Sequence, residues 1–106
     1  MLFRSNGVIV EEDPEQDEYH IIVTARDASV DGGSEQSQID ALARGKYVAD
    51  ETGLSAIFKY ETSGSRWLLD EYLEAHPDIR QDVHERLRRV PDRTDDGLLS
   101  RIRNFL

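Results

Sequence analysis

Six of eight consecutive residues near the start of this chain are acidic, and short apolar runs flank them on both sides. The runs are Val8-Ile9-Val10 and Tyr19-His20-Ile21-Ile22-Val23. Between them lies Glu11-Glu12-Asp13-Pro14-Glu15-Gln16-Asp17-Glu18. Runs this short, rich in β-branched residues, suit strands better than helices. Residues 7–12 and 19–25 therefore read as a strand pair, with 11–18 as a solvated connection. That connection is longer than a tight two-residue turn, so it does not set the register. Along the second run Tyr19, Ile21 and Val23 point one way; His20, Ile22 and Thr24 point the other. Both faces carry an apolar residue. A sheet built on these strands is covered in part on each side, or packs against a partner.

The chain has 106 residues, enough for one core and too few for two ordinary domains. Its net charge is −9, unevenly spread. Residues 1–75 hold 16 acidic and 6 basic side chains; residues 76–106 hold 6 acidic and 7 basic. The larger part repels phosphate, so generic attraction to nucleic acid is not expected. Only Lys46 and Lys59 among the basic residues are lysines. That bias, with abundant carboxylates, fits an acidic surface adapted to salt (a halophilic origin) or a GC-rich genome. Cysteine is absent, which excludes disulfides, thiolate metal sites and cysteine catalysis. Arg4, Ser5 and Asn6 interrupt the first apolar residues, so no signal peptide is expected. No apolar run is long enough for a membrane span. A cytoplasmic location follows as the default.

Further along, Asp31-Gly32-Gly33-Ser34 reads as a turn. A helix is expected over 35–51, begun near Ser34 or Ser37 and closed by Gly53 in a left-handed cap. Its stripe is Ile39, Leu42, Ala43 and Tyr47. Residues 54–61 alternate as a third strand. Residues 66–75 read as a helix with Leu68, Leu69, Tyr72 and Leu73 inward. Pro77 suits the first turn of the next helix, whose stripe is Ile79, Val83, Leu87 and Val90. Pro91 is expected to end it. Leu98, Leu99, Ile102, Phe105 and Leu106 form a final apolar face, placed either to close the core or to dock on a second subunit.

Val48-Ala49-Asp50-Glu51-Thr52-Gly53-Leu54-Ser55 resembles the turn of helix-turn-helix DNA-binding proteins. Ala49 stands at the small position, Gly53 at the turn, and Leu54 with Ser55 at the start of the recognition helix. The resemblance implies DNA contacts from Ser55 and Lys59. Downstream the fit fails: 56–61 lacks a helical stripe, and Lys59 stands where an apolar residue is usual. Asp50, Glu51 and Glu61 also oppose phosphate contact.

Other chemistry is less specific. His20, His76 and His84 follow no metal-binding spacing. Asp13, Asp17 and Glu18 lack the glycine-centred alternation of a calcium loop. The serines read as caps and turns. Arg80, Arg86, Arg88, Arg89 and Arg93 form the one basic cluster, either a solvated helix face or an interface with the acidic half of another copy. Trp67 reads as closing the core; with Arg66 it is alternatively an exposed anchor.

These observations combine into one α+β domain over 1–106. A small, mostly antiparallel three-stranded sheet packs with about four helices. Residues 91–106 form a docking or dimerisation helix, and a winged helical architecture is the alternative. The expected function is that of a small acidic, non-catalytic interaction or regulatory protein. It would bind a basic protein or a second copy, with no cofactor and no metal. The contact candidates are Glu11, Glu12, Asp13, Glu15, Asp17, Glu18, Arg66, Trp67, Tyr72, Phe105 and Leu106. The alternatives are a DNA-binding regulator and a small enzyme with an unidentified site.

Overall fold

The two apolar runs form a hairpin. β1 (Gly7–Asp13) and β2 (Glu18–Ala25) pair antiparallel without a break, from Gly7 opposite Thr24 to Asp13 opposite Glu18. The structure, a computed structural model, describes residues 7–25, 28–60, 64–93 and 96–105. At the hairpin tip Asp13 Oδ1 accepts the backbone N–H of Glu15 (3.2 Å) and of Gln16 (3.3 Å). A side chain that replaces a backbone acceptor in this way is a common means of closing a turn.

β3 (Ala28–Glu35) pairs antiparallel with β2, where a turn is expected from the sequence. His20 lies opposite Ser34 and Ile22 opposite Asp31, so Ile21 faces both Gly32 and Gly33. This is a β-bulge, and the glycines have a physical reason. A Cβ on Gly32 would come within 3.0 Å of the Ile21 carbonyl oxygen, and Gly33 holds a φ of 105°. Gly-Gly thus marks a bulge within a strand, not its end.

α1 (Gln38–Thr52) starts as expected, with Ser37 Oγ accepting the Asp40 N–H. It ends at Gly53, φ 74°, whose N–H bonds the Ala49 carbonyl. α1 carries the chain back across the sheet, so β4 (Ser55–Lys59) runs parallel to β1. β5 (Arg66–Leu68) then adds antiparallel to β4. The strand order is β3-β2-β1-β4-β5. The sheet is therefore five-stranded and mixed, where the sequence predicts three mostly antiparallel strands. Among the described residues a winged-helix arrangement is not formed, and β4 stands where a recognition helix would begin.

α2 (Leu69–Ala75) follows β5 directly, so the segment expected to be helical from 66 begins as strand. α3 (Pro77–Leu87) has Pro77 in its first turn. It ends before Pro91, which instead occupies the second position of a single helical turn, α4 (Val90–Arg93). A missing N–H is harmless there. α5 (Asp96–Phe105) completes the chain.

α1 lies between the sheet and the later helices, which explains its wide buried surface: Ala41, Leu42, Ala43, Gly45, Val48 and Ala49. Toward the sheet it meets Val8, Val10, Ile21, Val23 and Phe58, all fully buried. Val83 of α3 and Leu98 and Ile102 of α5 join the same cluster. Of the α5 face expected to close the core or to dock, Leu98, Leu99 and Ile102 are thus buried within the chain. No helix among the described residues is long and apolar enough to cross a membrane.

Candidate interaction surface

The helix residues of the core cluster pack with Val8, Val10, Ile21, Val23 and Phe58, which share one face of the sheet, while Ile9, Ile22 and Ile57 on the opposite face lie outside that cluster. Directly paired residues project to the same face. Ile9 pairs with Ile22 on one side and Ile57 on the other; Ile57 pairs with Leu68. Four aliphatic side chains therefore form a row across β2, β1, β4 and β5. The three isoleucines are partly exposed, and Leu68 is 49% exposed. Asp31 bounds the row on β3.

A charged row runs beside it: His20, Glu11, Lys59 and Arg66, again in direct register. Lys59 Nζ lies 3.2 Å from Glu11 Oε1. His20 Nε2 donates to Asp13 Oδ2 at 3.0 Å and lies 3.5 Å from Glu18 Oε1. The hydrogen bond from His20 is the main reason the Asp13 carboxyl is held below its ordinary range. Asp13, Glu18 and His20 thus form a small, net-acidic cluster at the corner of the open face.

The acidic segment is divided by the pleat. Glu11, Asp13 and Glu18 share the open face. Glu12 pairs with Tyr19 on the other side. Glu15 and Asp17 sit in the exposed turn, with Asp17 in the left-handed region at φ 53°.

Tyr19, Tyr60, Trp67 and Tyr72 gather on the helix side, around Phe58. The Tyr60 and Tyr72 hydroxyls are 2.7 Å apart, and Gln38 Nε2 donates to both, at 3.2 Å and 3.0 Å. Burial, then the hydrogen bond with Tyr72, raises the pKa of the Tyr60 phenol. This is a poor arrangement for proton transfer near neutral pH and a good one for joining α1, β4 and α2. Trp67 pairs with Phe58 but sits at the sheet edge, 37% exposed, edge-on to Tyr72 and His76. It shields the aromatic cluster and does not close the core. His76 stacks on Tyr72 and its Nδ1 donates to the Tyr72 carbonyl at 2.8 Å. Arg66 and Trp67 are neighbours in sequence yet project to opposite faces, and Tyr72 is buried.

No protein family, curated protein or solved structure matches this chain.

The remaining candidates fall elsewhere. Ser55 is an exposed strand residue, and Lys59 belongs to the charged row. Neither lies on a helix. Leu106 and the Phe105 side chain lie outside the described residues. His84 is exposed on α3 between Arg80 and Arg88, while Arg86 bonds Asp40 of α1 at 2.9 Å. The three histidines occupy separate surroundings. Among the described residues no set of three or more His, Cys, Asp or Glu is placed to share a metal ion.

The sequence alone does not show the aliphatic row as a unit. Alternation marks Ile22 as facing away from Ile21, but joining Ile9 to Ile57 needs the parallel register. Leu68, expected on a helix, joins the row only through its pairing with Ile57.

Proposed function

We propose that this protein is a non-catalytic protein-interaction module whose contact surface is the open face of its sheet. The observation that carries this reading is the continuous Ile22-Ile9-Ile57-Leu68 row on the face of the sheet opposite the helix-packed core. An apolar stripe beside a charged border has the composition of an interface: an apolar centre supplies affinity and a polar rim supplies orientation. Arg66 is the anchor of the basic side of that rim. Glu11, Asp13 and Glu18 form the acidic side and attract cationic groups of the partner.

The test compares two single-residue variants as bait in extracts of the source cells. Leu68→Lys places a charge in the row, and Arg88→Glu changes the exposed residue that follows α3. A partner retained by the wild type and by Arg88→Glu, but released by Leu68→Lys, is the expected result. Equal retention by all three chains would move the contact surface elsewhere.

A further inference from the structure

Resting on the reading of the open face as a contact surface, we infer that its occupant is a second copy of this chain, stacked face to face about a twofold axis. The charges beside the aliphatic row divide across the sheet. Glu11, Asp13 and Glu18 lie over β1 and β2; Lys59 and Arg66 lie over β4 and β5. A twofold axis parallel to the strands, between β1 and β4, exchanges these halves. It lays Glu11 of one copy over Lys59 of the other. It lays each Arg66 over His20 of the other copy, one step along the strands from Glu18 and Asp13, where the two carboxylates outnumber the one imidazole.

The same rotation superimposes the aliphatic rows, Ile9 over Ile57 and Ile22 over Leu68. An axis across the strands would instead lay the charged band over the row of Thr24, Gly7 and Ser55, leaving the carboxylates unmatched. One operation therefore satisfies both the apolar and the charged rows, which is the requirement for a closed, self-complementary dimer. Stacked sheets keep their strands within about 30° of one another, so this axis is compatible with sheet twist. Edge-to-edge pairing is a poorer route: β5 has three residues and β3 carries the Gly32-Gly33 bulge.

Each copy carries −9, so long-range repulsion opposes the pair. Salt screens that repulsion more than it screens close interfacial pairs. Self-association should strengthen as salt rises.

The experiment is sedimentation equilibrium of the full chain from roughly 1 μM to 1 mM. The wild type is expected to form a dimer that tightens between about 0.1 M and 1 M salt. Arg66→Glu sets like charges against Glu18 twice per dimer, and Glu18→Lys sets like charges against Arg66 twice. Each variant alone should dimerise roughly tenfold more weakly. An equimolar mixture of the two should recover dimer, because each contact then joins opposite charges. That recovery also shows that both variants are folded. Leu68→Lys should abolish the dimer, and Arg88→Glu should leave it intact.

A wild type that stays monomeric throughout overturns the inference. So does a dimer dissolved by Arg88→Glu and not by Leu68→Lys, or a mixture that recovers nothing. If the chain is monomeric while Leu68→Lys still releases a captured cellular protein, the second-copy inference falls and the contact-surface reading stands. If Leu68→Lys changes neither property, both fall.

Discussion

Gly45 of α1 sits so close to Val10 of β1 that a single added methyl would overlap Val10 Cγ2. A glycine within a helix normally weakens it by about 1 kcal/mol relative to alanine. Here the absent side chain lets the central helix settle onto the central strand. Gly45→Ala should therefore destabilise the protein despite its better helix propensity, by roughly 1–3 kcal/mol as an overpacked contact. Urea denaturation checks it. In a Val10→Ala background the same change should cost clearly less, since the two sites are coupled.

Gly53 supplies the contrast. A Cβ there meets nothing within 4 Å, but φ is 74°. Gly53→Ala should cost about 1–2 kcal/mol, from backbone strain alone. No change at a neighbouring side chain should relieve it. Gly53→Asn should cost less than Gly53→Ala in the same denaturation assay.

Tyr60 makes the protein sensitive to alkali. Its phenol titrates above the ordinary value of 10.0 because burial and the Tyr72 hydrogen bond favour the neutral form. A raised folded pKa contributes stability that is fully present below the unfolded pKa and is lost as pH rises through the folded one. Stability should thus fall progressively above about pH 10. Tyr60→Phe should flatten that fall while costing about 0.5–1.5 kcal/mol at neutral pH for the lost hydrogen bond. Denaturation midpoints between about pH 8 and pH 12 measure both effects.

Asp13 acts at the other end of the pH scale. Its carboxyl titrates below 3.8, chiefly through the His20 hydrogen bond. A depressed folded pKa contributes stability above the unfolded value that is lost as pH falls through the folded one. Carboxyl resonances followed by NMR should give an Asp13 midpoint below 3.8 in the wild type and closer to it in His20→Ala. An unchanged midpoint in that variant would refute the assigned cause.

Trp67 and Phe58 are paired across β4 and β5 but should differ sharply on truncation. Phe58 is fully buried, and Phe58→Ala should cost about 3–5 kcal/mol. Trp67 rests edge-on against Tyr72 at the rim, so Trp67→Ala should cost about 0.5–1.5 kcal/mol. Comparable losses would place Trp67 in the core after all.

Local signals in the sequence carried the elements they govern. Short β-branched runs located β1 and β2, and alternation located β4. Ser37, Gly53 and Pro77 located helix ends, because caps depend on one residue's own chemistry. What was not legible depends on distant partners. β3 has little apolar content in Ala28–Glu35, and it is a strand because β2 offers it a ladder. β5 is held by three pairings with β4, and its Leu68 mimics the next helix's apolar stripe. The open face follows the same rule: its residues were visible singly, while their alignment belongs to the β1–β4 register.

That parallel register has a consequence for the order of assembly. β1, β2 and β3 form a local meander that can pair early, whereas β4 reaches β1 only after α1 has crossed the sheet. Until then β1, the middle strand of the finished sheet, is an edge with Val8 and Val10 uncovered. A growing chain therefore passes through a stage at which the apolar half of this strand could recruit a stranger. The carboxylates of Glu11, Glu12 and Asp13 sit at the end of that very strand. Charged residues flanking an exposed strand discourage wrong pairing. On this view the acidic hairpin protects the nascent chain before it borders any surface of the finished one.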